Sequence, residues 1–118
     1  TFINGQNYSG SQPKMTVHRL LKEHMLRFTG QELSGLRHAL LIPLGPAAVS
    51  AAIAFATAGA FPKQNILLGV PHPSGANAER ISYFLGRKDR DALSSKTNAN
   101  KLDEDREVAL HIVRNYFH

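Results

Sequence analysis

His72 is held between Pro71 and Pro73 and is followed by Ser74, Gly75, Ala76 and Asn77. The two prolines restrict the backbone on either side and lower the entropy of fixing the imidazole. An imidazole so placed donates a hydrogen bond to a carbonyl oxygen and stabilises negative charge developing there. Ser74 precedes a predicted helix, where its hydroxyl either caps the helix or passes to a phosphate. Gly75 lets a backbone approach closely. A constrained histidine, a cap hydroxyl and a helix N-terminus together suit an anionic sugar-phosphate with a base beside it. The same string also suits a plain turn into a helix; its position after a buried-type strand favours the site.

Asn4 ends a short apolar stretch, Phe2-Ile3, and its carboxamide has the paired donor and acceptor that read a pyrimidine edge. The competing role is a turn asparagine that serves its own loop. Lys14, Arg80, Arg87, Lys88, Arg90 and Lys96 are candidate phosphate contacts, each of which could equally be a solvated surface charge. The histidines do not form a metal site: His18 and His24, and His111 and His118, lack the spacing of two ligands on one helical face. No Ser/His/Asp order, HExxH motif or dinucleotide fingerprint is present, and no cofactor is expected.

Elements that would position these residues follow from periodicity. Val17, Leu20, Leu21, His24 and Phe28 have helical spacing, with Gly30 as the expected stop and a further turn of helix near Glu32–Arg37. Ala39–Gly45 and Ile66–Val70 are continuous apolar runs of the kind found in strands covered on both faces. Pro46 suits the first position of a helix reaching Ala58, with Gly59 as its end signal; that helix is apolar nearly all round and is expected to be well buried. Another helix is predicted over 77–85, closed by Gly86. Residues 87–101 are a polar connector to a C-terminal helix, 102–118, which opens on Asp103, Glu104 and Asp105 and buries Val108, Ala109, Ile112, Val113 and Tyr116. Strand–helix alternation predicts an α/β fold, a three-layer αβα arrangement around a short parallel sheet with ligands beyond the carboxyl ends of its strands.

Composition bounds the reading. A chain of 118 residues makes one domain, and its 42% hydrophobic content argues against whole-chain disorder. No apolar run is long enough to span a membrane, so no membrane partner is expected. The chain has no cysteine, which excludes disulfides and thiolate metal sites and fits a cytoplasmic location. The net charge of +5 favours anionic partners, nucleic acid among them. Thr1 opens the chain with neither a methionine nor a basic leader, as in a piece cut from something longer.

Four stretches, in order, resemble the C-terminal half of the uracil-DNA glycosylase superfamily. Phe2-Ile3-Asn4 is similar to its strand ending in the pyrimidine-reading asparagine. Leu41-Ile42-Pro43-Leu44-Gly45 is similar to the strand-to-turn segment before its buried helix. Pro71-His72-Pro73-Ser74, with Gly75-Ala76-Asn77, is similar to its second catalytic motif, and Ser95-Lys96-Thr97-Asn98 to a downstream basic segment. The resemblance implies a partial uracil-DNA glycosylase-like fold and DNA, single- or double-stranded, as partner. It implies that Asn4 bonds the edge of a flipped uracil and His72 the carbonyl oxygen that gains charge as the N-glycosidic bond breaks. Ser74 would hold a phosphate, and 75–77 would enter the groove left by the extruded base. Ala76 and Asn77 are small where the family has a bulky wedge. The family's first motif, which positions the attacking water, has no counterpart in these residues. An N-terminal half of the same protein is then expected as a partner, and the chain alone is expected to be inactive. The alternatives are a non-catalytic nucleic-acid-binding or structural domain, and an α/β domain that binds a small nucleotide or sugar phosphate.

Overall fold

The computed structural model describes residues 2–10 and 12–118. Among the described residues the expected three-layer αβα arrangement with its parallel sheet is not formed. Helix accounts for 55% of the chain and strand for 4%, so helices carry the structure. Among the described residues the strands are β1 (Phe2–Ile3) and β2 (Gln6–Asn7), an antiparallel pair with Phe2 opposite Asn7 and Ile3 opposite Gln6. The helices are α1 (Arg19–Ser34), α2 (Pro46–Thr57), α3 (Ala78–Phe84) and α4 (Ala99–Phe117), with 3-10 turns at Lys63–Asn65, Gly75–Asn77 and Arg90–Ala92.

The expected parallel sheet fails for a backbone reason. Leu41 and Ile66 do form one parallel bridge: the Leu41 N–H donates to the Asn65 carbonyl, and the Leu67 N–H to the Leu41 carbonyl, both at 2.8 Å. In a parallel ladder the next donor on that strand is two residues on, and it is Pro43, which has no N–H. Past the bridge, Gly45 (φ +93°) and Gly69 (φ +85°) turn both segments out of extended geometry. A continuous apolar run looks the same whether it lies in a ladder or in an extended, partly buried segment.

The chain divides into two compact units: Thr1–Ala39 with Pro46–Lys63, and Leu40–Gly45 with Gln64–His118. In the first, α1 meets α2. Gly30 does not stop α1; it is buried in mid-helix, where an added Cβ would lie 3.5 Å from the Ala60 Cβ and 3.6 Å from the Phe55 ring. Lack of a side chain there lets the helix approach Phe55. Met25, Ala52, Phe55 and Phe61 are buried. Apolar side chains on every face of α2 do not bury it throughout, because eight of its positions stay partly or fully exposed besides Pro46 and Thr57, and Ile53 is 50% exposed. Its alanines are too small to hold a full ring of neighbours.

In the second unit α3 packs on α4, and Ile66, Leu67, Leu102 and Ala109 are buried. The last helix begins three residues before the predicted 102, because the Asn98 side chain accepts from the Lys101 N–H and caps it. The acidic run therefore falls past the first turn, and Asp103 accepts from the Tyr83 hydroxyl at 2.8 Å and from Arg90 at 3.0 Å instead of facing free N–H groups. That bond to Asp103 holds the Tyr83 proton and raises its pKa above the ordinary value. Val108, expected in the buried stripe, is 51% exposed.

Gly69 and Gly59 separate two costs of a side chain. At Gly69 a Cβ would lie 2.8 Å from the Asp105 Cβ and 3.2 Å from its Cα, which belong to α4 and cannot swing away; at Gly59 (φ +73°) nothing lies within 4 Å. Gly59→Ala is expected to cost about 1–2 kcal/mol through left-handed backbone alone. Gly69→Ala adds about 1–3 kcal/mol of overpacking. Urea unfolding of the two variants side by side checks the order.

Candidate functional site

The loop after the second extended segment is built around Asn77. The Ser74 N–H donates to the His72 carbonyl at 2.8 Å, a tight turn across Pro73, and the Asn77 N–H donates to the Ser74 carbonyl at 2.9 Å. The Asn77 amide Nδ2 donates to the His72 carbonyl and to the Ser74 hydroxyl oxygen, each at 3.2 Å. Its Oδ1 accepts from Arg80 Nη1 at 3.0 Å. One side chain thus fixes His72, Ser74 and Arg80 relative to one another. Ser74 stands at the N-cap of the Gly75–Asn77 turn but makes no side-chain cap bond. Its oxygen accepts from Asn77, and its hydroxyl hydrogen can still be donated. Gly75 and Ala76 are exposed in the 3-10 turn that leads into α3.

The His72 ring lies against Gly45. A Cβ built there would stand 2.8 Å from the His72 Cδ2, so only glycine lets the ring rest on the turn before α2, and the φ of +93° demands glycine independently. The imidazole is otherwise exposed.

The 94–98 segment is brought to α3 by Glu79. Its carboxylate accepts from Lys88 Nζ at 2.8 Å, from the Ser94 N–H at 3.1 Å, from the Ser94 hydroxyl at 2.7 Å and from the Thr97 hydroxyl. Lys88, then Thr97 and Ser94, hold the Glu79 carboxyl well below the usual carboxylate range. Lys96 lies inside this segment, exposed, with no ion-pair partner among the described residues. Residues 87–101 are therefore less a loose connector than a folded strap, with a 3-10 turn at Arg90–Ala92 and Arg90 bonded to Asp103 and Asn100.

Asn4 is not part of this unit. It belongs to the first unit, where Asn4 (φ +52°) and Gly5 (φ +76°) are the two central residues of the β1–β2 hairpin. Positive φ at both positions is the requirement of a type I′ turn, and Asn-Gly is its preferred pair. The side chain is exposed on that turn. Sequence reasoning did not single out a cavity of about 460 Å³ in the same unit, lined by Lys14, Met15, Thr16, Pro46, Ala48 and Ser50 among others. Its only signal was the run of small residues on α2, which leaves space beside the helix. Among the described residues no group of His, Asp and Glu could hold a metal ion, and no helix is long and apolar enough to cross a membrane.

Because Glu79 is held ionised in the folded chain, its bonds contribute stability that is full above the unfolded carboxylate range and is lost progressively as pH falls from that range toward the depressed folded value. The Ser94 amide proton is the natural reporter. Its NMR shift is expected to stay constant down to about pH 4 and to move only below it. In Glu79→Gln the Ser94 shift is already displaced at neutral pH and no longer follows a carboxylate titration.

Comparison with known proteins places few constraints on this site. No family model matches the chain, and no solved structure does. The chain is 34% identical over 90 residues to the uncharacterized protein YoxB of Bacillus subtilis (strain 168), a stretch that covers 75% of this chain and 35% of that protein. The chain spans about a third of the length of the curated relative it matches.

Proposed function

We propose that this chain is a DNA-handling segment of a protein of the uracil-DNA glycosylase kind, which binds a base and its phosphate without hydrolysing the N-glycosidic bond on its own. The observation that carries this reading is the joining of three separated stretches within one unit: the Gly45 turn against the His72 ring, the His72–Asn77 loop, and the 94–98 segment tied to α3 through Glu79. These are three of the four stretches on which the resemblance rests. In this reading the exposed imidazole donates to a base carbonyl, the Ser74 hydroxyl donates to a phosphate oxygen, and Arg80 and Lys96 supply positive charge. The reading rests on this cluster and not on a parallel sheet, which the described residues do not form.

Binding without hydrolysis is favoured by the carboxylates bonded to α3. Glu79 is occupied by Lys88, Ser94 and Thr97, and Asp103 by Tyr83 and Arg90. Neither is left to position an attacking water.

The chain is expected to prefer a short single-stranded oligonucleotide carrying one uracil over the same strand with adenine, which has no carbonyl, there, in fluorescence anisotropy. His72→Ala is expected to remove about 1 kcal/mol of that preference, roughly fivefold, as for one hydrogen bond. No uracil is released from either strand. Equal affinity for both strands, unchanged by His72→Ala, would sink the base-reading role; release of uracil that His72→Ala abolishes would sink the non-hydrolytic one.

A further inference from the structure

The cavity of about 460 Å³ in the unit made of Thr1–Ala39 and Pro46–Lys63 plays no part in the role proposed for His72. Its volume is that of a site for a small molecule. At the packing density of a protein interior it holds about fifteen to twenty non-hydrogen atoms. One wall is a face of α2, where Ala47, Ser50 and Ala51 stand at i, i+3 and i+4. The space exists because the alanine side chains end at Cβ. The other wall includes Lys14, Met15 and Thr16. Backbone bonds set that segment: the Tyr8 hydroxyl donates to the Pro13 carbonyl at 2.6 Å, and the Val17 and His18 N–H groups both donate to the Lys14 carbonyl at 3.0 Å. Lys14, Met15, Ala47 and Ser50 are exposed, so the cavity opens to solvent and a ligand enters without local unfolding.

The chemistry of the lining is one-sided. Lys14 is the one charged residue that lines the cavity, and it has no ion-pair partner among the described residues. The Thr16 and Ser50 hydroxyls make no side-chain hydrogen bond among the described residues, so both can donate. Beside them lie methyl groups and Met15, whose unbranched thioether adapts to irregular apolar shapes. One cation and two hydroxyls next to an apolar floor match a single negative charge at the end of a hydrocarbon. A phosphate monoester, with close to two negative charges, calls for a second cation that the lining does not hold. A nucleobase finds no aromatic side chain there to stack on, and a cationic ligand finds no carboxylate.

We propose that this cavity binds a medium-chain monocarboxylate. Lys14 pairs with the carboxylate, the Thr16 and Ser50 hydroxyls donate to its oxygens, and the hydrocarbon lies along Met15, Ala47 and Ala51. The site uses no residue of the His72 loop and stands whether or not that loop reads a base.

The test is isothermal titration calorimetry of the whole 118-residue chain with decanoate below its micellar range, with decylammonium as the same hydrocarbon of opposite charge. Decanoate is expected to bind at one site and to shift the amide signals of Thr16 and Ser50 in NMR; decylammonium is expected not to bind. Lys14→Gln is expected to weaken decanoate binding about tenfold, as for the loss of a hydrogen bond to a charged group. Ala47→Leu keeps the lysine and a good helix former but fills the space, and is expected to weaken binding by a similar factor. Circular dichroism checks that both variants fold. His72→Ala leaves decanoate affinity unchanged, so this site and the base-reading role fail separately. The proposal is overturned if decanoate and decylammonium bind alike, or if either folded variant binds decanoate as the parent does. It is equally overturned if no saturable binding occurs below the micellar range.

Discussion

Pro43 has no backbone hydrogen to give, and the middle of this chain is arranged around that lack. The extended segments around Leu41 and Ile66 begin a parallel ladder, exchange one pair of hydrogen bonds and stop where the next donor would stand. A chain that cannot go on pairing has to leave, and Gly45, at a φ only glycine holds easily, takes it directly into Pro46 at the head of α2. The other segment turns away at Gly69, beneath the backbone of α4, and runs on to the prolines around His72. The imidazole comes to rest on the glycine that ended the first segment. One missing N–H thus ends the ladder two residues before the glycine on which the His72 ring rests.

Glu79 does by side chains what the ladder does not do by backbone. The 88–97 strap has little apolar material of its own to bury, and its position comes from one carboxylate that collects an ammonium, two hydroxyls and an amide. Hydrogen bonds to an ionised acceptor are stronger than neutral ones, and four on one group are mutually supporting. The arrangement holds Lys96 near α3 without spending a cation on the contact, since the ammonium that pairs with Glu79 is that of Lys88. Tyr83, Asp103 and Arg90 form a smaller counterpart that ties the strap and α3 to the last helix.

Signals carried by single residues were legible in the sequence. Pro46 and Gly59 bracket α2, Gly86 follows α3, and each acts through its own backbone geometry, which no distant neighbour alters. Features decided by partners were not. The apolar runs at 39–45 and 66–70 have the composition of buried strands, but whether such runs pair depends on which N–H faces which carbonyl, and there Pro43 decided. Gly30 has the form of a helix stop and is a packing site, because Phe55, in another helix, needed the room. Asn4 fits both the end of a strand and a turn, and the structure places it in the turn, where Asn4-Gly5 is the dipeptide of a tight hairpin. In the candidate site, the contact between His72 and Gly45 spans 27 positions and had no local signature. The Asn77 bonds lie within a few residues of their partners, so their geometry was closer to reach than their direction.

That direction has a consequence of its own. Asn77 spends its amide hydrogens inward, on the His72 carbonyl and the Ser74 oxygen, and its own oxygen on Arg80. These acceptors are thereby engaged from within, while the Ser74 hydroxyl and the remaining guanidinium N–H groups of Arg80 can still donate. The loop has a hydrogen-bond bias: more of its uncommitted capacity lies in donors than in acceptors. Such a loop favours partners that present lone pairs, and among its side chains an approaching donor is left chiefly the acceptor nitrogen of the neutral His72 ring.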